Sequence, residues 1–421
     1  MTKTHKKRFL INLACIATAG LIPVMASAQL AVDPHIAEVG PESDVPVAIQ
    51  NARWHMNDAD INVLTFRSME TLFTTRTVAR SGNVSTLPRE DSALDFNYQF
   101  EGRTYKPEEF LDRTYTNAML VMKNGKIVYE NYLNNSKADT HFMGWSMTKS
   151  LTSLLVGIAV EEGRIRSLDD DITDYLPELK SGAYKGVTIR QVLQMRSGVD
   201  YEESYDFDSP GIAARNHIQA LVKNVVRFVD AARDIERAHP PGKVFQYKTI
   251  DTAVLGLLVE RVSDGGTLAS YMANRLWEPL GAESDGFFIM DGEPGVGREF
   301  SGAGFNATLR DYARIGELML NEGEINGRRI VSRDWVRESV KPAGPEEGPM
   351  DYGYQWWTVS KTPAYSAIGL QGQFIFVDPS TDTVIVKLSY FPPEDKDEAA
   401  MRETFSFFEA ASKWEPGKGR G

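Results

Sequence analysis

The chain has 421 residues, with 46 basic and 58 acidic side chains and a formal net charge of −12 at pH 7. An acidic chain binds nucleic acid poorly, so we exclude nucleic acid as a partner. The one cysteine, Cys15, lies in the first 28 residues, so the rest of the sequence offers neither a disulfide nor a thiolate metal ligand.

The first 28 residues have the pattern of a cleaved export signal. Residues 1–8 are basic, residues 9–25 are apolar, and Ala26-Ser27-Ala28 supplies the small-x-small cleavage pattern. No stop-transfer segment follows, so we expect no membrane span in the mature chain. Removing the four basic residues of this leader leaves 42 basic against 58 acidic residues, a net charge of −16. We expect a protein that is exported to the bacterial periplasm or secreted.

The length predicts more than one structural unit, because about 390 mature residues exceed the size at which one core usually stops growing. We assign residues 29–66 to an N-terminal lead-in and residues 67–163 and 346–413 to a sheet domain. Residues 164–345 are assigned to a helical insert domain and residues 414–421 to a flexible tail.

The first strong elements are a hairpin and a buried helix. Two β-prone runs over residues 118–131 flank Asn124-Gly125, a pair that favours the positive φ angles of a tight turn. Residues 151–160 are apolar around most of a helical wheel, which predicts a helix buried inside a domain.

The rest of the chain alternates helical and β-rich patterns. Helical spacing of apolar residues predicts helices over residues 189–195, 218–232, 250–262, 268–276, 308–320 and 394–413. Three β-rich runs cover residues 354–359, 373–377 and 383–389. With the hairpin they predict an antiparallel five-stranded sheet flanked by helices, an α+β fold with a mainly helical insert.

The most informative motif is Ser146-x-x-Lys149 at the head of the buried helix. Positions i and i+3 share one helix face, so the serine hydroxyl and the lysine amine can meet. Burial and the positive end of the helix dipole both disfavour an ammonium, and no acidic residue lies between Asp139 and Glu161. We hypothesise that Lys149 is partly neutral and acts as a base toward Ser146.

The context of this motif separates it from chance, which alone gives about one such match in a chain of this length. Tyr247 follows about a hundred residues later, and Gly144 precedes the serine by two positions. An isolated tyrosine is usually a core or surface aromatic, but this combination favours a serine acyl-transfer enzyme.

Together with further motifs, Ser146-x-x-Lys149 makes the chain resemble the serine β-lactamase and penicillin-binding-protein-like hydrolases. The resemblance runs from about Arg67 to Lys413, and it is strongest with the branch of 6-aminohexanoate-dimer hydrolases and β-lactamase-fold esterases. The further motifs are Arg67-Ser-Met-Glu-Thr71, Thr75-Arg76-Thr77, Arg196-Ser-Gly-Val-Asp-Tyr201, Pro241-Gly242 ahead of Tyr247, Tyr352-Gly-Tyr-Gln-Trp-Trp357 and Gly369-Leu-Gln-Gly-Gln373.

This resemblance implies the roles of the site residues. Ser146 is acylated, Lys149 assists its deprotonation, and Tyr247 exchanges protons with the serine, the leaving group and the deacylating water. Whether Lys149 or Tyr247 is the principal base stays open at this point. The resemblance also implies an oxyanion hole built from the backbone amides of Ser146 and of Leu370, which follows the sheet's edge strand. We further predict substrate contacts at Tyr201, Tyr205, Trp356 and Gly369.

The substrate contacts predicted at Tyr201, Tyr205 and Trp356 depend on ambiguous patterns. Five acidic residues between positions 200 and 208 could attract an amine-bearing substrate, with Tyr201 and Tyr205 lining a pocket. Charge runs usually face water, so we favour a solvated loop. Trp356 and Trp357 are adjacent, and strand alternation sends only one of them inward.

Two departures from the β-lactamase pattern narrow the expected substrate. Tyr247-Lys248-Thr249 replaces Tyr-x-Asn, and Ala367-Ile368-Gly369 replaces Lys-Thr-Gly, which removes the cation that holds a β-lactam carboxylate. These changes favour an amidase or esterase acting on a small molecule. Two alternatives remain: a D-amino-acid peptidase or β-lactamase of the cell wall, and a penicillin-binding sensor or scaffold without turnover.

Other catalytic classes lack their signatures. There is no Gly-x-Ser-x-Gly elbow, and the six histidines are scattered, which disfavours Ser-His-Asp chemistry. Clustered metal-ligand spacings and phosphate-cradling glycine patterns are also missing from the sequence. We therefore expect neither a metal nor a cofactor, and the sequence leaves the oligomeric state open.

Overall fold

The computed structural model describes residues 43–345, 348–393 and 395–417. The predicted export signal, the lead-in up to residue 42 and the last four residues of the tail lie outside the described residues. Within these ranges no helix is both long enough and apolar enough to cross a membrane.

Short strands and a few long ones alternate with helices along the chain. The strands are β1 (Thr75–Val78), β2 (Tyr98–Phe100), β3 (Arg103–Tyr105), β4 (Thr116–Lys123), β5 (Lys126–Tyr132), β6 (Phe142–Met143), β7 (Gly286–Ile289), β8 (Phe305–Ala307), β9 (Glu324–Ile325), β10 (Arg328–Arg329), β11 (Met350–Tyr352), β12 (Trp357–Val359), β13 (Tyr365–Gly369), β14 (Gln373–Asp378) and β15 (Thr383–Ser389).

The α-helices are α1 (Val47–Trp54), α2 (Asn62–Thr65), α3 (Met69–Leu72), α4 (Pro107–Arg113), α5 (Met147–Glu161), α6 (Ile189–Leu193), α7 (Ile212–His217), α8 (Thr249–Val262), α9 (Leu268–Met272), α10 (Glu278–Leu280), α11 (Leu309–Leu320), α12 (Arg333–Ser339) and α13 (Asp395–Lys413). Short 3₁₀ segments occur at Ile172–Asp174, Pro177–Leu179 and Phe228–Arg233, and π-helical turns at Ile218–Val222 and Ala273–Trp277.

The main sheet is antiparallel throughout and has the order β11-β12-β13-β14-β15-β4-β5. Its seven strands exceed the predicted five, because the β-rich pattern misses β11 and β13. The sequence of β13 is Tyr-Ser-Ala-Ile-Gly, in which three of the five residues have little β-propensity. The hairpin is confirmed as β4 and β5, with Asn124 and Gly125 at φ angles of 50° and 72°.

Both faces of the sheet are covered, so its central strands are buried on each side. Ile375 and Val377 of β14 face the core that contains α5, α8 and α11. Phe374 and Phe376 point to the opposite face, where Phe408 of α13 packs against both rings. Strand alternation thus sends apolar side chains into two layers, and α13 closes the outer one as predicted.

A second antiparallel sheet has the order β1-β7-β8-β6. β7 and β8 belong to the predicted insert, yet they pair with β1 and β6 from the preceding part of the chain. The segment assigned to the insert therefore contributes strands as well as helices. One hydrophobic core runs through both the insert and the sheet domain. The division between these two domains stays a prediction.

The helical prediction is wrong over residues 218–232. The chain forms a single π-helical turn to Val222 and resumes as a 3₁₀ segment at Phe228. Between them Asn224 has a φ of 55°, and its side-chain amide donates to the Ala220 carbonyl at 2.7 Å. A left-handed asparagine ends a helix in this way whatever the apolar spacing predicts.

Candidate active site

A strained turn delivers Ser146 to the head of α5. The Gly144 N–H donates to the Phe305 carbonyl of β8 at 2.9 Å, which fixes the chain two residues before the serine. Trp145 has a φ of 46°, a conformation that bulky residues rarely adopt, and its buried ring lies 5.4 Å from that of Phe66. Backbone strain directly before a partly exposed serine is typical of a functional position.

Lys149 lies one helical turn further on and is only 1% exposed. Its Nζ donates to Ser146 Oγ at 3.0 Å, to Thr249 Oγ1 at 3.0 Å and to the Gly302 carbonyl at 2.8 Å. Burial lowers the pKa of Lys149 to about 8, against the opposing effect of the negative charge on Glu203. The hypothesis that this amine is partly neutral therefore has a physical basis in its desolvation.

Tyr247 completes the group. Its hydroxyl is hydrogen-bonded to Ser146, and its ring centroid lies 5.0 Å from the Nζ of Lys149. Desolvation raises the pKa of Tyr247, and the Ser146 hydrogen bond opposes this only in part, so the phenol stays protonated near neutral pH. The fold thus brings together the three residues that the sequence singles out for catalysis.

The two candidate bases differ in electrostatic state. A lysine with a lowered pKa can be neutral and accept a proton, whereas a tyrosine with a raised pKa holds its proton. Ser146 and Thr249 also lie at the N-terminal ends of α5 and α8, where the helix dipoles disfavour a nearby ammonium. The geometry favours Lys149 as the base and Tyr247 as a proton donor.

An aromatic wall holds Tyr247 in place. The Trp357 ring stacks on it with centroids 5.6 Å apart and an interplanar angle of 27°, and Tyr352 meets it edge-on at 5.9 Å. Phe245 packs against both of these rings. The sequence assigns no role to either Tyr352 or Phe245, although Tyr352 begins one of the motifs that carry the resemblance and Phe245 lies two residues before Tyr247.

The prediction of a substrate contact at Trp356 is wrong. Its side chain is fully buried and meets the Tyr365 ring at 88°, inside the core. Trp357 begins β12, and its side chain lies on the opposite side from that of Trp356. It is the partly exposed tryptophan of the pair. Strand alternation correctly sends only one of the two tryptophans inward, but the sequence does not decide which one.

The two tyrosines that were predicted to contact the substrate differ in how far they are buried. Tyr201 is fully buried, and its hydroxyl accepts a hydrogen bond from Asn216 at 3.4 Å, so the prediction of a substrate contact there is wrong. Tyr205 is 40% exposed, and its hydroxyl donates to Glu203 at 2.6 Å. A substrate contact at Tyr205 stays a prediction.

Glu203 is the site residue that sequence reasoning missed. The acidic loop was expected to face water, but this carboxylate accepts from the backbone N–H of Thr249 at 2.7 Å and from the Thr249 hydroxyl. No local signal marks it, because the loop and α8 meet only in the folded chain. Thr249 itself was visible as the last position of the altered Tyr-x-Asn element.

The end of β13 lies directly against the turn before the serine. A β-carbon at Gly369 would lie 2.2 Å from the Gly144 carbonyl oxygen, so the two backbones are in contact. β13 is an internal strand rather than the implied edge strand, yet β12 pairs only with Tyr365 and Ser366. Among the described residues, the last three of β13 therefore have no partner strand on the β12 side. The Leu370 amide stays the predicted second oxyanion donor.

We expect Gly369→Ala to lower kcat by about 10²-fold, the effect of removing one oxyanion donor. The added methyl group must push β13 away from Gly144, which should also lower the free energy of unfolding by about 1–3 kcal/mol. Ester turnover and thermal unfolding would be compared with Gly82→Ala, where a β-carbon meets nothing within 4 Å. Equal activity of the two variants would show that the close approach at Gly369 is not required.

In the described part of the chain, no group of three or more His, Cys, Asp or Glu side chains is arranged to hold a metal ion.

Known proteins are similar to this chain in sequence and in fold. A family model described as Beta-lactamase matches residues 108–404. The chain is 35% identical over 305 residues to a 6-aminohexanoate-dimer hydrolase from Paenarthrobacter ureafaciens, covering 68% of this chain and 76% of that protein. A solved structure from Bacillus anthracis, provisionally named a 6-aminohexanoate-dimer hydrolase, has a TM-score of 0.75 and 25% identity over 85% of this chain and 95% of its own.

A third comparison adds another hydrolase with this fold. The hydrolase EstCE1, described as having promiscuous acyltransferase activity, has a TM-score of 0.58 and 17% identity over 72% of this chain and 96% of its own. At that identity the likeness concerns the fold alone. The chain belongs to the Beta-lactamase family, and it is a hydrolase with the β-lactamase-like α+β fold that its sequence predicts. The resemblance to the 6-aminohexanoate-dimer hydrolase branch is confirmed.

Proposed function

We propose that this hydrolase cleaves a small amide or ester through an acyl-enzyme on Ser146. The observation that carries the proposal is the buried amine of Lys149, 3.0 Å from the Ser146 hydroxyl and with a pKa lowered to about 8. A hydroxyl beside a neutral amine is the arrangement of an activated nucleophile.

Acylation needs the neutral form of Lys149, because in that form the lone pair of Nζ can accept the Ser146 proton across the 3.0 Å contact. The Nζ of Lys149 takes the proton of Ser146 as Oγ attacks the substrate carbonyl carbon. The developing oxyanion lies toward the amides of Ser146 and Leu370, each of which stabilises the transition state by about 3 kcal/mol. Tyr247 then gives its proton to the departing amine or alkoxide and regains one from the Lys149 ammonium.

Deacylation uses the same groups in a second cycle. A water molecule attacks the acyl carbon while it passes a proton to the neutral Lys149 amine. As the acyl bond breaks, Tyr247 gives its proton to Ser146 Oγ and regains one from the Lys149 ammonium. The phenol's raised pKa keeps it protonated at the start of each half-reaction.

We expect the acidic limb of the kcat/KM profile to have an apparent pKa of about 8. Lys149 must be neutral to accept the serine proton, so kcat/KM should fall about tenfold for each pH unit below that value. The measurement is a pH profile with an uncharged p-nitrophenyl ester, whose own ionisation does not change over this range. A rate that is flat from pH 6 to 9 would contradict the role of Lys149 as the base.

Several features support a small amide or ester, rather than a β-lactam, as the substrate. Ala367, Ile368 and Gly369 provide no cation where a β-lactam carboxylate would be held. Trp357 is partly exposed beside Tyr247, and the side chain of Leu370 is exposed at the end of β13, so the neighbourhood of the serine is largely apolar. The relative from Paenarthrobacter ureafaciens is named for a 6-aminohexanoate dimer, which supports an amide as the bond that is cleaved.

The test is a substrate panel with p-nitrophenyl butyrate, the matching p-nitroanilide, 6-aminohexanoate dimer and a penicillin. The proposal expects turnover of the ester and of at least one amide, and little hydrolysis of the penicillin. A long-lived penicilloyl adduct without ester or amide turnover would instead support the cell-wall peptidase or sensor alternative.

We also propose that the protein is exported. The support is the basic and apolar pattern of the first 28 residues, with Ala26-Ser27-Ala28 at its end. Intact mass of protein from the periplasmic or culture fraction should give a chain that begins at Gln29. Full-length protein confined to the cytoplasmic fraction would contradict export.

A further inference from the structure

The loop carboxylate of Glu203 is held by three hydrogen-bond donors. It accepts from the Thr249 N–H at 2.7 Å, from the Thr249 hydroxyl and from the Tyr205 hydroxyl at 2.6 Å. An ionised carboxylate accepts at both oxygens, whereas a protonated one must donate from one of them. Three donors therefore converge on the two oxygens of Glu203 and hold this side chain against the start of α8.

The same contacts fix the direction of the Thr249 hydroxyl. Its proton points to Glu203, so its free lone pair faces the Nζ of Lys149, 3.0 Å away. The Gly302 carbonyl presents a second fixed acceptor to that amine at 2.8 Å. Lys149 thus meets acceptors that suit an ammonium, although burial favours the neutral amine.

The negative charge of Glu203 offsets part of the cost of burying the Lys149 ammonium. A buried ammonium that forms without a counter-ion is strongly disfavoured. Glu203 acts on Lys149 electrostatically, and among the residues that the structure describes it is the one charged group that does so appreciably. The charge of Glu203 also acts on Tyr201, Tyr205, Tyr247, Lys248 and Tyr352, and Asp251 acts on Lys248 and Tyr352.

The nearest of these charges have partners of their own. The Nζ of Lys248 donates to the Val199 carbonyl at 2.8 Å and to Gln246 at 3.1 Å. Asp251 accepts from the Tyr184 hydroxyl at 2.8 Å. Neither side chain is hydrogen-bonded to Lys149. The hydrogen-bonded path from a carboxylate to this amine therefore runs from Glu203 through the Thr249 hydroxyl.

We propose that Glu203 is a positioning residue that, through Thr249, provides the counter-charge for the ammonium formed on Lys149 when Ser146 is deprotonated. This inference rests on the proposed acyl-enzyme function. The proton moves from Ser146 Oγ to Lys149 Nζ, and Glu203 neither gains nor loses one. Its charge and the lone pair of Thr249 stabilise the product of that transfer.

A purely structural role makes a different prediction. Glu203 also accepts from the first N–H of α8, as a helix cap does, so its loss should lower stability. A cap alone does not change the proton affinity of Lys149. The pH profile therefore separates the two roles, because only a counter-charge moves the acidic limb.

The test compares Glu203→Gln, Glu203→Asp and Glu202→Gln with an uncharged p-nitrophenyl ester, which removes any recognition of a substrate amine. Glu203→Gln should move the acidic limb of kcat/KM to lower pH by about one unit, since a nearby anion raises a lysine pKa. Plateau kcat should fall about tenfold with the weaker base, while KM stays within about twofold. Glu203→Asp keeps the charge and should restore the limb.

Glu202→Gln is the matched control, because it removes an adjacent, exposed charge from the same loop. Its pH profile should be unchanged. An unmoved limb in Glu203→Gln, or an equal shift in Glu202→Gln, would overturn the inference. If turnover does not depend on Ser146, the proposed function fails instead, so the two failures are distinguishable.

A second variant covers misfolding of Glu203→Gln. Thr249→Val removes the hydroxyl between the two groups and leaves the carboxylate in the chain. It should also move the acidic limb to lower pH, because Lys149 loses an acceptor that stabilises its ammonium. A folded Thr249→Val protein with an unmoved limb would overturn the inference.

Discussion

Ser146→Ala is expected to lower kcat/KM for a small ester by about 10⁵-fold or more, to the residual rate that binding and the oxyanion donors supply alone. Without Oγ no acyl-enzyme forms, and neither Lys149 nor Tyr247 can replace the nucleophile. The measurement is steady-state turnover of p-nitrophenyl butyrate by the purified mature chain, with thermal unfolding recorded on the same samples.

Ser153→Ala provides the matched control for this variant. Ser153 lies on the same helix, is buried, and has a hydroxyl without a partner among the described residues. Its removal should leave both turnover and stability unchanged, because no hydrogen bond is lost. Activity that survives in Ser146→Ala would contradict the assignment of the nucleophile.

Lys149→Met is expected to lower kcat by about 10³–10⁴-fold, the upper range for loss of a general base. It should also abolish the acidic limb near pH 8, because the group that titrates there is gone. Methionine has a similar length and needs no solvation, so the chain should remain folded. The measurement is a kcat/KM profile from pH 6 to 10, beside circular dichroism of each sample.

A second buried lysine serves as the control for Lys149→Met. Lys387 lies in β15, where its Nζ donates to the Thr114 carbonyl at 2.8 Å and faces the ring of Phe391. Burial lowers the pKa of Lys387 as well, so Lys387→Met removes a comparable buried amine away from Ser146. It should keep the limb near pH 8. A normal limb in Lys149→Met would show that another group is the base.

The parts of the site that sequence predicts best are local ones. Ser146 and Lys149 are three residues apart on one helix, so helix geometry alone brings them together, and the apolar run after them predicts their burial. Asn124-Gly125 fixes the hairpin for a similar reason, since the turn chemistry is contained in two residues. Tyr247 needed the resemblance, because its partners lie about a hundred residues away.

The missed features depend on tertiary packing. Glu203 becomes part of the site only because its loop meets the first turn of α8, a contact that no pattern in an acidic run predicts. Trp356 and Trp357 follow the alternation rule, but which one faces the core depends on the register of β12 against β13. Tyr201 looked like a pocket residue beside the acidic loop, and the fold buries it instead.

The central claim is a covalent acyl-enzyme on Ser146. The most direct measurement is intact mass followed by peptide mapping, after brief exposure to a p-nitrophenyl carbamate, whose carbamoyl group leaves slowly. The account predicts one carbamoyl group per chain on the peptide that contains Ser146, with matching loss of ester turnover and no adduct in Ser146→Ala. An adduct on another residue, or inactivation without any adduct on that peptide, would contradict it.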